Sequence, residues 1–278
     1  MIRLFASISI LSCLLFSACG GGGGDDSSNS GDGGSTALAC NVIGLETRIL
    51  NGDTCNNSAA ASVVRLIALD DFFQPISLCS GTLISPTQVL TAAHCFEQLA
   101  FYVVESGDRG TASNFEANVV ALNEAPGFRL GGPDTSFRLF NDAAIAELDR
   151  PIPSPTMPIL LSRAPQVGEE GFVFGFGATE LGSRNASIDA LQGGAMTIRE
   201  VTDNHIFVRF DGSGVNICSG DSGGPIVVLV DGQPAVAGIV SQGSEPGCFP
   251  GDVSTFTNLQ SNSVLPWLTG SAGNASVR

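Results

Sequence analysis

The sequence predicts an all-β protein whose globular part forms two sheets or barrels, and three observations predict it. Glycine is abundant, at 35 of 278 residues, while Asp, Glu, Lys and Arg together make only 14% of the chain. Short β-prone runs recur between turn signals: "SVVRLIAL", "GTLIS", "FYVVESG", "NVVALN", "AAIAEL", "GFVFGFG", "HIFVRF", "GGPIVVLV" and "AVAGIVSQG". Only "NLQSNSVLPWLTG" near the end reads as a short helix. That spacing fits packed sheets and does not fit alternating βαβ units. The phenylalanine-rich strands read as core.

The N-terminus comes first in chain order. Arg3 precedes an apolar run from Leu4 to Ala18, too short to span a bilayer stably and suited to a signal-peptide core. It ends "LLFSAC", with small residues before Cys19, and resembles a bacterial lipoprotein signal in which Cys19 carries the lipid. Residues 1–18 are thus expected to be a signal peptide. Residues 19–39 form a lipid-anchored flexible tether of Gly, Ser and Asp, with a root-mean-square reach on the order of 25 Å. The competing expectation is an ordinary cleaved signal followed by a disordered segment. Either way the protein is exported, as an outer-membrane lipoprotein (periplasmic or cell-surface) or otherwise secreted. Disulfides persist in those compartments.

Setting aside Cys13 and Cys19 leaves Cys40, Cys55, Cys79, Cys95, Cys218 and Cys248, six cysteines with fifteen possible pairings. The formal net charge is −15 and every basic residue is arginine. An acidic balance of that size argues against nucleic acid, or an anionic membrane face, as a partner. Membrane contact is expected through the lipid anchor only.

Three stretches carry chemistry: "LTAAHCF" with His94, "FNDAAIAEL" with Asp142 and "CSGDSGGPIV" with Ser222. A serine hydroxyl needs an imidazole to take its proton, and the imidazole needs a carboxylate to fix its tautomer. Taken singly, a histidine beside a cysteine is more often structural, and an aspartate before an apolar strand is usually a cap. "GDSGG" also matches the G-x-S-x-G elbow of α/β-hydrolases, but that fold needs a histidine after the serine. No histidine follows Ser222, and "PIVVLVDG" reads as strand and turn where the elbow demands a helix.

"TAAHC", "NDAAIAEL" and "GDSGGP", in the order His, Asp, Ser, resemble the trypsin/chymotrypsin family of serine endopeptidases. "RILNG", "NEAPGF", "GFVFGFG", "GIVSQG" and Trp267 extend the resemblance from Ile49 to about Leu268. It implies two packed six-stranded antiparallel β-barrels with a short C-terminal helix, the protease domain occupying 49–270 and a disordered tail 271–278. It further implies Ser222 as nucleophile, His94 as general base and later acid, and Asp142 as its orienting group. The N–H groups of Gly220 and Ser222 would form the oxyanion hole, and Ser241, Gln242 and Gly243 would pair with an extended substrate. The family's disulfides would join Cys79 to Cys95 and Cys218 to Cys248. His205, in "TDNHIFVRF", reads as structural. No cofactor is implied, and no metal, since the zinc-type ligands are otherwise committed.

In the family, a cut before an Ile-Val-Gly-Gly-like sequence frees an ammonium that pairs inside the protein with the Asp preceding the serine. Ile49-Leu50-Asn51-Gly52 matches the new terminus and Asp221 the receiver. The expectation is a zymogen with a short propeptide, 40–48, activated by cleavage after Arg48 by an Arg-cleaving protease. The alternative is that "RILNG" merely begins a strand. Cys40 and Cys55 are left to bridge across the cut. Asn216 stands six residues before Ser222, where trypsin-like members carry the Asp that binds Arg or Lys. A preference for uncharged side chains follows, with Asp252 a further carboxylate on the facing loop. The substrate is a protein or peptide. Two rivals remain: a catalytically inactive binding module on the same fold, and an esterase using the same triad. Asn56, Asn185 and Asn274 match glycosylation acceptors that a bacterial lipoprotein would not ordinarily use.

Overall fold

A computed structural model describes residues 53–54, 61–98, 100–107, 114–132, 138–183, 190–244 and 247–278, all within one compact unit, Asp32–Arg278. The expectations for the signal peptide, the tether, Cys19, Cys40, Arg48, Ile49 and Cys55 lie outside these residues. The chain runs β1 (Asp53–Thr54), β2 (Val63–Leu69), β3 (Pro75–Ser85), β4 (Gln88–Thr91), a 3-10 turn (Ala93–Phe96), β5 (Phe101–Ser106), β6 (Phe115–Glu124), β7 (Arg129–Leu130), β8 (Leu139–Phe140) and β9 (Ala144–Leu148). It continues as β10 (Glu170–Gly175), β11 (Gln192–Thr197), β12 (Glu200–Val201), β13 (His205–Arg209), β14 (Pro225–Val230), β15 (Gln233–Gln242), β16 (Val253–Asn258) and the helix α1 (Val264–Ser271).

The first barrel closes in the order β2-β3-β4-β9-β6-β5, every pairing antiparallel. The second half differs from the six-stranded barrel expected. It is an open sheet of eight strands, β1-β11-β10-β14-β15-β16-β13-β12, whose ends are not joined by a ladder. The physical reason lies in residues 192–201. Their first part pairs with β10 as β11, and their last part pairs with β13 as β12, with Ile198 and Arg199 between. β11, next to the end strand β1, and β12, at the opposite end, are thus one chain run that turns a corner, and the sheet curls without closing.

Strand periodicity sorts the core. In β10, Phe172 and Phe174 join the large apolar cluster containing Leu83, Leu90 and Ile145, while Val173 faces the interior of the curled sheet with Ile206 and Val228. β14 divides the same way, with Val227 on one side and Ile226 and Val228 on the other. In α1, Val264 and Leu268, four apart, are the buried positions, and Pro266 falls in the first turn where no helical N–H is lost. No helix among the described residues is long and apolar enough to cross a membrane. The end of the chain is not the disordered tail expected: Arg278 N donates to Ile159 O (2.9 Å), and Leu161 N and Ser162 N donate to Arg278 O. Its backbone groups extend an edge that would otherwise be unpaired.

Among the described residues, one arginine lies wholly inside. Arg65 of β2 has no exposed surface; its Nε donates to Glu105 Oε2 at 3.2 Å, directly opposite on β5. Its guanidinium also lies 4.9 Å from the centre of the Phe176 ring, which follows β10, so a first-barrel cation packs on a ring from the curled sheet. Arg65 Nη2 also donates to Gly107 O (2.5 Å), but a carbonyl carries no countercharge, and removing one partner of a buried ion pair costs up to about 3–5 kcal/mol, whereas replacing both with apolar residues is far milder. Glu105→Leu is therefore expected to lower stability by about 3–5 kcal/mol in urea unfolding, and Arg65→Met/Glu105→Leu to recover most of it.

Candidate active site

His94 lies in the 3-10 turn that follows β4, and the Cys79–Cys95 disulfide ties this turn to β3. Asp142 sits between β8 and β9. Asn141 before it adopts φ 52°, a left-handed conformation that Asn tolerates, with its amide donating to Pro126 O (2.6 Å) and its oxygen accepting from Ser263 Oγ (2.8 Å). That turn aims Asp142 inward, where it has no exposed surface. Asp142 Oδ1 accepts from the His94 backbone N–H (2.9 Å); Oδ2 accepts from His94 Nδ1 (2.7 Å) and Ser241 Oγ (2.6 Å). Its carbonyl accepts from Thr257 Oγ1 (2.9 Å). A carboxylate that accepts from Nδ1 puts the imidazole hydrogen there, so Nε2 is the basic atom. Burial pulls the His94 pKa down, but the hydrogen bond and charge of Asp142, with the charge of Glu97, outweigh it and the net shift is upward.

Ser222 follows a tight turn. Gly220 has φ 99° and Gly223 φ 82°, conformations an L side chain rarely adopts. A Cβ on Gly223 would also lie 2.1 Å from Thr91 Oγ1 and 2.3 Å from Ser80 O. Ser80 of β3 anchors this turn to the first barrel: its N donates to Ser222 O (2.7 Å), its Oγ donates to Gly220 O (2.8 Å) and accepts from Phe176 N (3.0 Å). Neither the Gly220 nor the Ser222 N–H is taken by an acceptor among the described residues. Ser222 Oγ and His94 Nε2 are not hydrogen-bonded to each other in this structure.

Asp221 is 3% exposed, and its carboxylate accepts from Gly177 N (2.8 Å) and Cys218 N (2.8 Å). No cation among the described residues pairs with it. Burial pushes its pKa up to about 6 against the two N–H groups, which pull it down. The glycines of "GFG" explain how a carboxylate fits there: a Cβ on Gly175 or Gly177 would stand 2.2 or 2.3 Å from its oxygens.

Beside Ser222 opens a cavity of about 320 Å³ lined by Ser219, Ser222, Ser241, Gly243, Ser244 and Asp252, with the Cys218–Cys248 disulfide in its wall. Asn216, with no exposed surface, lies behind the lining; its Nδ2 donates to Cys248 O (3.2 Å) and Asp252 Oδ2 (3.1 Å), and its Oδ1 accepts from Ser254 Oγ (3.1 Å). Among the described residues, Asp252 is the charged residue of the cavity wall. Its Oδ1 accepts from Ser244 N (2.7 Å), and a Cβ on Gly243 would come within 3.0 Å of Oδ2. Gln242 is tied through its own side chain, Oε1 accepting from Leu139 N (2.9 Å).

His205 donates from Nε2 to Leu139 O (2.7 Å) between the rings of Phe140 and Phe207, and burial, the largest effect, lowers its pKa. Those contacts hold the loop that carries Asp142. Cys79, His94 and Cys95 gather within 4.8 Å, but both sulfurs are in a disulfide, so a metal is offered one imidazole and no thiolate. Sequence reasoning missed Ser80, Thr257 and the second task of Ser241. Each is a hydroxyl whose partner is 99 or more residues away along the chain, or 96 for Phe176, and no local pattern announces it.

A family model described as Trypsin matches residues 49–268. Human kallikrein-11 is 28% identical over 242 residues, covering 80% of this chain and 80% of that protein. Brachyurin of Leptuca pugilator is 30% identical over 221 residues, covering 73% of this chain and 91% of that protein. The suppressor of tumorigenicity 14 protein homolog of Bos taurus is 32% identical over 201 residues, 62% of this chain but only 22% of that longer protein. A match that takes in both the closed barrel and the curled sheet places this chain in the trypsin family, as a serine endopeptidase.

Proposed function

We propose that Ser222 attacks the carbonyl carbon of a peptide bond while His94 Nε2 takes its proton and later returns it to the leaving amine. Asp142 holds the imidazole in the Nδ1–H tautomer and stabilises its cationic form. The observation that most supports this is Asp142 itself: a carboxylate with no exposed surface, 2.7 Å from His94 Nδ1, in a site whose cavity Ser222 lines. Attack moves negative charge onto the carbonyl oxygen, where the uncommitted N–H groups of Gly220 and Ser222 stabilise it. The acyl-enzyme is then opened by water, with His94 as base. Ser241, Gln242 and Gly243 pair with the extended substrate. Nε2 must be unprotonated to act, so activity falls as pH drops through a His94 pKa that Asp142 lifts above 6.5. Asp142→Asn is expected to move that acid limb of kcat/KM downward and to cut kcat by about 10⁴-fold. An unmoved limb would argue against this pairing.

We infer further that the chain is a zymogen, with the ammonium of Ile49 meeting Asp221 after cleavage at Arg48. What supports this is a buried carboxylate with N–H donors but no cation among the described residues. The sign of its effect is determinate. A folded pKa near 6 against 3.8 makes ionisation costly, so the cost is absent below about pH 4 and grows through pH 6, to on the order of 3 kcal/mol. The uncleaved protein is expected to lose stability from pH 4 to 7.5 relative to Asp221→Asn, read from urea midpoints. Parallel pH curves for the two proteins would contradict it.

A Cys40–Cys55 bridge would keep the propeptide, and the lipid on Cys19, attached after the cut. Asn216 contributes no charge to the cavity whereas Asp252 does, so the pocket is read as open to uncharged side chains and not closed to Arg or Lys. The activator cuts after arginine, and Asp252 makes this chain itself a candidate beside a separate protease. Covalent labelling of Ser222 by a fluorophosphonate, before and after trypsin cuts at Arg48, tests the reading. Labelling is expected only after the cut, with the fragments held together until reductant is added. Equal labelling before the cut would leave the triad and remove the zymogen. Absence of labelling in folded protein would favour the inactive binding module. Ser222→Ala precursor that stays whole while the wild type processes itself would identify self-activation.

A further inference from the structure

On a protein of net charge −15, one face gathers arginines. Arg138, just before β8, and Arg199 and Arg209, beside and on the β12–β13 ladder, line a cavity of about 480 Å³. The Arg138 guanidinium lies 4.9 Å from the centre of the Phe207 ring, which forms part of the cavity wall. None of the three arginines has an ion-pair partner among the described residues. Two carboxylates, Glu200 and Asp211, also line the cavity, and Asp211 already accepts from Ser213 N (3.1 Å) and Oγ (2.8 Å). Among the described residues the local balance is therefore positive, in a molecule whose net charge is strongly negative.

The position of this cavity relative to the cleft follows from strand register. Gln242 of β15 stands opposite Thr255 of β16, Thr255 opposite Phe207 of β13, and Phe207 opposite Glu200 of β12. Directly opposed residues share a face, and neighbouring strands lie about 4.8 Å apart. The row from Gln242 to Phe207 is therefore about 10 Å long, and to Glu200 about 14 Å. Arg138 is fixed to the same row from above, because the next residue, Leu139, donates its N–H to Gln242 Oε1 and accepts from His205 Nε2. A substrate strand that pairs along Ser241–Gly243 runs along the axis of β15, and a segment N-terminal to it that turns across the sheet covers the roughly 10–14 Å to the arginines in about four residues at about 3.3 Å each.

We propose that this arginine-lined cavity is a remote binding site for acidic side chains of a protein substrate, roughly four to seven residues N-terminal to the scissile bond. It rests on the endopeptidase reading with strand pairing at Ser241–Gly243. Guanidinium groups suit carboxylates because their planar forks donate two hydrogen bonds at once, and the Phe207 ring holds one fork in place. The site recruits acidic substrates that the net charge of the molecule would otherwise repel.

Two measurements test it. In the first, fluorescein-labelled hexaglutamate is titrated into full-length Ser222→Ala protein and read by anisotropy. Saturable binding is expected at 20 mM salt, at least tenfold weaker in the Arg199→Gln/Arg209→Gln background and weakened by 0.3 M salt, with hexaglutamine not bound (about tenfold being the scale for losing two charge-assisted contacts). Both substituted arginines are exposed, so folding is not at issue. No binding, or binding unchanged by the double substitution, overturns the site. In the second, activated enzyme cleaves peptides with Glu or Gln at those upstream positions. Glu is expected to lower KM about tenfold, an advantage the double variant loses while kcat on a substrate reaching only three residues upstream is unchanged. Equal KM values overturn the proposal. If no peptide is cut at all, the endopeptidase mechanism has failed, and the first measurement still decides the site.

Discussion

Asp142 is the constraint on which the rest of the site depends. A carboxylate out of contact with water is costly to bury unless its lone pairs are used, and here they are. His94 supplies two donors from the turn after β4, Ser241 supplies one from β15, and Thr257 holds the carbonyl from β16. The first two come from the closed barrel and the last two from the curled sheet. Satisfying one buried charge therefore sets the position of the two halves at the cleft, and the orientation of the imidazole follows from that satisfaction. The folding requirement and the catalytic role proposed for His94 call on the same hydrogen bonds.

Ser80 makes a second seam of the same kind. It carries the Ser222 turn on β3 by bonds to Ser222 O and Gly220 O, and it reaches Phe176 N across the interface. Gly223 is a glycine because Ser80 O and Thr91 Oγ1 occupy the space a side chain would need. Phe176 in turn carries the guanidinium of Arg65 on its ring and lies between the glycines that admit Asp221. Histidine turn, serine turn and buried aspartate are thus coupled through a short chain of contacts, in which small shifts have nowhere to dissipate.

Asp221 is the counterpoint. It is as buried as Asp142, but backbone N–H groups are the donors it has, and its pKa is pushed up where theirs cannot offset burial. A site that satisfies one aspartate fully and, among the described residues, leaves a second without a cation holds unequal reserves of free energy at two places. That asymmetry is what a switch at the new N-terminus would draw on.

Much of this was legible in the sequence. "TAAHC", "NDAAIAEL" and "GDSGGP" are short, contiguous and ordered, and each encodes a local need: a histidine beside a bridging cysteine, a polar turn before an apolar strand, glycines where the backbone bends. The Cys79–Cys95 and Cys218–Cys248 pairings implied by the family resemblance are present, and the strand-rich texture is that of the fold. What tertiary structure alone decided involves partners far apart in sequence. The open second sheet, the ordered C-terminus on Ile159, the withdrawal of Asn216 behind Asp252, and the arginines brought onto one face from residues 138, 199 and 209 are of this kind. A sequence states which groups need partners; only the folded chain determines which partners arrive, because hydrogen bonds and charges act over a few ångströms and ignore distance along the chain.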